Sequence, residues 1–193
     1  MKKNYKKDRR KKRYTARWTM IICLCILVCF AVYFFRSGDR VYPRDYRIEV
    51  EKYAALNELD ENLVYALIKA ESDFDLDAVS SKGAVGLMQL MPETAQWAAD
   101  KMGIEYDESL LTDSEYNIKI GTWYLKRLII YYENDINKAI AAYNGGEGNV
   151  DEWLADGTWD GTLANAGDIP FEETGNYLSK VTAYYEEYQA LYE

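Results

Sequence analysis

Two stretches of the chain share one spacing. Val64, Leu67, Ile68 and Glu71 stand at i, i+3, i+4 and i+7, and so do Ile136, Ala139, Ile140 and Tyr143. That is the repeat of a single helix face. Nowhere does a convincing period-two alternation of β-branched residues occur, nor an internal repeat. A half-buried strand needs such alternation, so the spacing points to an all-α architecture, a compact bundle of roughly seven helices. In both stripes the last position is polar. A Glu near a helix end is by default a solvated residue, but the phase of Glu71 turns its carboxyl toward the core side. Desolvation there disfavours the charged form and raises the pKa, as a general acid requires.

The other elements follow from local signals. Residues 46–56 read as an amphipathic helix with Val50, Tyr53 and Ala54 on one side, and Asp60 is placed to N-cap the helix that ends at Glu71. From Asp73 to Ala84 the helical period is lost. An EF-hand loop beginning at Asp73 would need Gly at its sixth position and Glu at its twelfth, and the chain has Ala78 and Ala84 there, so a polar loop is expected instead of a calcium site. Pro92 opens a helix that stops at Gly103. A longer one over residues 113–132 carries Ile118, Gly121, Leu125, Leu128 and Tyr132 in its stripe, and Gly121 implies close approach by a neighbouring helix. Asn144-Gly145-Gly146 ends the next helix. A short helix is expected at residues 150–155, a loop at 159–170, and a last helix from Glu173 with Tyr177, Val181, Tyr184, Tyr188 and Leu191 on one face.

Charge divides the chain. Residues 1–35 hold ten Lys or Arg and one Asp, net +9, whereas residues 36–193 are net −18. Residues 18–35 carry no charge, and as a helix they would span about 27 Å, close to a hydrocarbon core of about 30 Å. Val32-Tyr33-Phe34-Phe35-Arg36 offers bulky residues where a signal-peptide cleavage site needs small ones, so an uncleaved signal anchor is expected. The resulting organisation is a basic cytoplasmic tail at 1–17, a transmembrane anchor at 18–35, a tether at 36–45 and an outer domain at 46–193, oriented by the positive-inside rule. An acidic outer domain would repel phosphates, which disfavours nucleic acid as a partner. Cys23, Cys25 and Cys29 all lie within 18–35, leaving the outer domain without disulfide or thiol chemistry, and the chain contains no His. Serine-hydrolase and zinc-hydrolase readings therefore lose most of their support, and neither metal nor cofactor is expected.

Taken singly, Ser72, Ser80, Gly83, Gly86, Met88, Gln89 and Met91 are ordinary turn and packing residues. Taken together, Ala66-Leu67-Ile68-Lys69-Ala70-Glu71-Ser72, then Ser80 and Gly83-Ala84-Val85-Gly86-Leu87-Met88-Gln89-Leu90-Met91-Pro92, closely resemble the soluble lytic transglycosylase family. Asn117-Ile118 with Gly121, Ala141-Ala142-Tyr143-Asn144-Gly145-Gly146-Glu147-Gly148, and Ile169-Pro170-Phe171-Glu172-Glu173-Thr174 with Tyr177 continue the resemblance in the family's order, from about residue 46 to the C-terminus.

The resemblance implies a goose-lysozyme-like helical domain that cleaves the β-1,4 bond between N-acetylmuramic acid and N-acetylglucosamine in peptidoglycan, leaving a 1,6-anhydromuramic end. It implies Glu71 as acid and then base, Ser80 in contact with the sugar, Gln89 and Met91 shaping the site, Tyr143 with Asn144 near Glu71, and Glu173 lining the same cleft. A retaining hydrolase with an enzyme nucleophile would want a second carboxyl roughly 5 Å from the first, whereas this chemistry needs one. The chain departs from the family pattern at Asp75-Leu76, Gly145 and Gly175; the last leaves Glu173 a structural alternative, since Glu172 and Glu173 at a helix start also complement its dipole. Two rivals remain at this point: a muramidase that uses water, and a wall-binding scaffold of a secretion or cell-wall machine without turnover.

Overall fold

The computed structural model describes Leu24, Ile26, Leu27 and residues 41–192. The expected tail, residues 36–40 of the expected tether, and the anchor apart from Leu24, Ile26 and Leu27, which are helical, lie outside the described residues; the tether's residues 41–45 are described, and its Arg44 already belongs to the helical unit, paired with Glu61. No helix among the described residues is long and apolar enough to cross a membrane. Arg44–Glu193 forms one compact unit, in which the described residues build seven α-helices: α1 Arg47–Leu56, α2 Glu61–Glu71, α3 Pro92–Met102, α4 Ser114–Tyr131, α5 Ile136–Gly145, α6 Glu147–Ala155 and α7 Glu172–Tyr192, with short 3-10 turns at Glu108–Thr112 and Leu163–Asp168. Strand pairing among them is limited to isolated bridges at Val79–Val85 and Val85–Leu90.

The helix boundaries are written in local chemistry. Asp60 accepts from the Asn62 amide at 2.8 Å, Asp113 caps α4 through Tyr116, and Asp135 caps α5 through Lys138, each carboxylate satisfying an amide that the first turn leaves without a partner. Pro92 stands in the first turn of α3, and Gly103 ends it in the left-handed region at φ 68°. Two elements differ from expectation. The short helix begins three residues early, at Glu147, because Gly146 at φ 85° lets α6 start directly from the end of α5. The expected loop at 159–170 contains the second 3-10 turn, which packs against α7.

The core is built around α2. Its residues Asn62 through Ile68 are all buried, on every face and not only along the expected stripe. A helix buried all round is the central element of a core. Its most extensive partner is α7, where Tyr188 stacks on Tyr65 at 5.6 Å between ring centroids. Helix α4 lies against α1 and α5, and α5 against α6 and α7. The buried run of α2 stops at Ile68, so its last turn, Lys69-Ala70-Glu71, emerges from the core.

Candidate active site

Glu71 is the final residue of α2 and is partly buried. The chain turns sharply after it: Asp73 and Phe74 both adopt left-handed backbone, at φ 50° and 68°, although neither is glycine. Such residues cost roughly 1 kcal/mol or more each, and surrounding structure must hold them. Phe74 is buried, and Ser72 ties the helix end to the following loop by donating to the Leu87 carbonyl at 2.9 Å. The turn thus fixes the end of α2 against residues 80–91.

The Tyr177 hydroxyl donates to Glu71 Oε1 at 2.7 Å. Burial pushes the Glu71 carboxyl from 4.5 up to about 7; the Tyr177 hydrogen bond and the Lys180 ammonium oppose the rise, and the Glu173 carboxylate adds to it. Desolvation is therefore the dominant cause, as the phase of the residue implies. Tyr177 itself is buried, and desolvation with the Glu71 carboxylate beside it holds its phenol well above the ordinary value. Lys180 is one turn further along α7 and donates to the Ala70 carbonyl at 2.8 Å, a second tie between the two helices.

Tyr143 lies within electrostatic reach of Glu71, whose carboxylate, after burial, helps raise the phenol's pKa. Its hydroxyl is given not to Glu71 but to the Met88 carbonyl at 2.9 Å. Residue Asn117 of α4 holds Met88 from behind. The fully buried Asn117 amide accepts from the Met88 N–H at 2.9 Å and donates to the carbonyls of Val85 and Leu111 at 3.0 and 2.8 Å. Two glycines make room for this arrangement. A Cβ on Gly86, which has φ +79°, would stand 2.3 Å from both Asn117 Nδ2 and the Leu111 carbonyl, and one on Gly121 would stand 2.4 Å from Met88 Sδ. The close approach expected at Gly121 is therefore made by a loop methionine and not by a neighbouring helix.

The other residues singled out in the sequence take varied positions. Ser80 Oγ accepts from the Ala84 amide at 2.9 Å and so closes the 80–84 turn. Gln89, at φ 44°, directs its side-chain amide to the carbonyls of Ala78 and Gly86 at 3.0 and 2.9 Å. Met91 is exposed at the N-cap of α3. Asn144 accepts from the Thr174 hydroxyl at 2.8 Å, joining α5 to the start of α7. Glu173 is 68% exposed and pairs with Lys82 at 2.8 Å, so the loop at 80–83 and the start of α7 are bridged at the surface. The structure thus joins Glu71 and Tyr177 directly, with Tyr143 and Glu173 within electrostatic reach, while Ser80, Gln89 and Asn144 spend their polar groups on the frame.

Tyr177 and Lys180 are the residues to which the sequence assigned no site role. In the sequence Tyr177 stands on one face of the last helix and among the residues that carry the family resemblance, but nothing local marks which of that helix's tyrosines meets a carboxyl. The departure from the family pattern at Gly175 has a packing reason, since a Cβ there would lie 2.4 Å from the Ala166 carbonyl.

Residues 49–163 match the family described as Transglycosylase SLT domain. The soluble lytic murein transglycosylase of Escherichia coli is 35% identical over 147 residues, covering 74% of this chain and 23% of the relative. The membrane-bound lytic murein transglycosylase C of Photorhabdus laumondii is 41% identical over 102 residues, covering 48% of this chain and 29% of the relative. The chain therefore spans about a quarter of the length of the curated relatives it matches. Among solved structures, the 70 kDa soluble lytic transglycosylase from Escherichia coli is similar with a TM-score of 0.75 at 32% identity, over 79% of this chain and 25% of that one. An inactive mutant of lytic transglycosylase Slt from Pseudomonas aeruginosa gives a TM-score of 0.72 at 34% identity, over 79% and 25%.

Proposed function

This chain belongs to the transglycosylase SLT family, and from that membership we propose that it is a lytic transglycosylase of peptidoglycan. It cleaves the β-1,4 bond between N-acetylmuramic acid and N-acetylglucosamine without water. Protonated Glu71 gives its proton to the glycosidic oxygen as the bond to C1 breaks and oxocarbenium character develops there. The resulting carboxylate takes the proton of the muramic C6 hydroxyl, whose oxygen closes on C1 to form the 1,6-anhydro ring. One carboxyl serves both steps and ends as it began, protonated.

The observation that carries this reading is the state of Glu71: a partly buried carboxyl with its pKa raised to about 7 and one oxygen held by Tyr177. Near neutral pH such a group exists in both forms, which acid and then base work requires. The single hydrogen bond from Tyr177 orients the carboxyl without neutralising it, and Tyr143 bounds the site on the α5 side. Ser80, Gln89, Met91, Asn144 and Glu173 are assigned to the substrate cleft, Ser80, Gln89 and Asn144 chiefly by holding its walls. The reaction calls for no metal or organic cofactor.

The whole protein is assigned to the cell membrane, with residues 18–35 as a single-pass anchor, the N-terminus cytoplasmic and the helical domain facing the wall. Its principal partner is the peptidoglycan glycan strand. The uncharged length of 18–35 and the preceding basic run support that topology, and one relative is itself named membrane-bound.

Digestion of purified peptidoglycan tests the reading. The wild-type chain is expected to release fragments that mass spectrometry finds one water lighter than hydrolysis products, and Glu71→Gln none. Fragments of full hydrolytic mass would make the enzyme a muramidase, and wild-type yields from Glu71→Gln would remove Glu71 from the chemistry.

A further inference from the structure

The face of α1 opposite its buried residues is open. Val50, Tyr53 and Ala54 of this helix are buried, whereas Arg47, Ile48, Lys52, Ala55 and Leu56 are exposed. Ile48, Lys52, Ala55 and Leu56 stand at i, i+4, i+7 and i+8, a stripe about 100° wide. Ile48 is 80% exposed and Leu56 68%, more than any other large apolar residue described in Arg44–Glu193. Apolar residues scattered singly over a surface need no explanation. These two share one stripe, and α1 exposes no acid, although residues 36–193 are net −18. The charges on this side are Arg47, paired with Glu51, and Lys52, paired with Glu115 of α4, and both cations remain in solvent.

Chain length limits what can cover this face. Residues 36–46 join the end of the 18–35 segment to the start of α1, and eleven residues fully extended span at most about 40 Å. Resting on the membrane anchor assigned above, we propose that the exposed stripe of α1 docks on the outer surface of the membrane, with Ile48, Ala55 and Leu56 in the boundary between headgroups and acyl chains and Arg47 and Lys52 at the level of the lipid phosphates. Apolar and basic side chains on one helix face are the composition that lies in that boundary. By itself so short a stripe gives only a weak, reversible hold. The tether makes the contact intramolecular, and a short linker supplies an effective concentration on the order of millimolar, so a weak hold suffices. Docking also limits what Glu71 reaches. Glu61 at the start of α2 is bonded to Arg44 just ahead of α1, and Glu71 closes α2 about 15 Å further along. A docked α1 therefore keeps the reacting carboxyl near the lipid, and the glycan strands nearest the membrane are its substrates.

The full-length chain reconstituted into vesicles of phosphatidylethanolamine and phosphatidylglycerol tests the docking. With Cys23, Cys25 and Cys29 replaced by Ala, a single environment-sensitive fluorophore is attached at Ile48→Cys, at Leu56→Cys or, for reference, at Asp156→Cys at the end of α6. An interfacial helix lies about 5–10 Å into the headgroup boundary, so lipid bearing a shallow spin-label quencher is expected to cut the emission at 48 and 56 about twofold and to leave that at 156 unchanged. A label at Ala55→Cys should be quenched to the same degree and should lose the quenching when Ile48→Asp and Leu56→Asp are added. Labels at 48 and 56 as open to aqueous iodide as the one at 156 overturn the docking. Labels shielded from iodide yet not quenched by lipid overturn the membrane as occupant in favour of a second copy of the chain. If alkaline carbonate strips the chain from the vesicles, the anchor assignment falls and the docking with it. Formation of anhydro ends is read separately and moves with none of these outcomes.

Discussion

Tyr177 and Glu71, 106 positions apart in sequence, meet across a 2.7 Å hydrogen bond that joins the end of the central helix α2 to the first turns of α7. Because the phenol donates, it favours the charged form of the carboxyl, while burial disfavours it more strongly. The two effects leave Glu71 at about 7.

A pH profile should show this balance. Bond cleavage needs Glu71 protonated at the start, so kcat/KM for purified peptidoglycan is expected to fall about tenfold per pH unit above about pH 7. Tyr177→Phe removes a contact that lowers the pKa, so the alkaline limb should move to higher pH while kcat drops about tenfold. A limb that stays in place would reduce Tyr177 to a packing residue.

The flanking charges move the same limb in opposite directions. Lys180→Met removes a cation that lowers the Glu71 pKa and should shift the limb upward, whereas Glu173→Gln removes an anion that raises it and should shift the limb downward. Turbidity clearance followed across pH 5–9 reads both. Identical profiles for the two variants would place neither charge near Glu71.

Stability carries the cost of the raised pKa. The folded chain holds a proton on Glu71 between 4.5 and about 7 that the unfolded chain releases, so this group's contribution is fully present below 4.5 and is lost as pH rises through 7. The loss is on the order of 3 kcal/mol at pH 8. Urea unfolding of Glu71→Gln, compared with wild type, should show the variant's relative stability rising by that order between pH 4 and pH 8. A pH-independent difference would mean that the folded carboxyl titrates normally.

Glycine substitutions should separate the loop's frame from the rest. Gly121→Ala drives a methyl to within 2.4 Å of Met88 Sδ, and overpacking of this kind costs about 1–3 kcal/mol. Because Met88 supplies the acceptor for Tyr143, activity should fall along with Tm. Gly148→Ala, in α6 with nothing within 4 Å of the added methyl, should raise stability by about 0.5 kcal/mol and leave turnover alone. Equal thermal shifts for the two would contradict the packing of Met88 on α4.

Much of the frame was legible in the sequence. The ends of α2, α3, α4 and α5 are set by Asp60, Pro92, Gly103, Asp113, Asp135 and Gly146, whose effects act within one turn of chain. The start of α6 was missed because Glu147-Gly148-Asn149 carries no apolar period, and its first turn is made possible by the dihedrals of Gly146. The complete burial of α2 was also not legible: periodicity reveals the more apolar face of a helix, while Asn62 and Ala66 are buried because other helices cover the remaining faces.

The sequence by itself determined that the described part of this chain is helical, where all its helices but α6 begin and end to within a residue or two, and that Glu71 and Tyr143 each close an apolar stripe. These are local matters, decided by spacings of three and four residues and by caps within reach of the first amides. The tertiary structure decided what stands opposite each of those side chains. It gave Glu71 the Tyr177 hydroxyl and turned Tyr143 to the Met88 carbonyl. It also set Asn117 and Gln89 to bracing backbone and left Ile48 and Leu56 open on the outer face of α1. Helical phase states which way a side chain faces, and only the packing of distant helices supplies the partner that it meets.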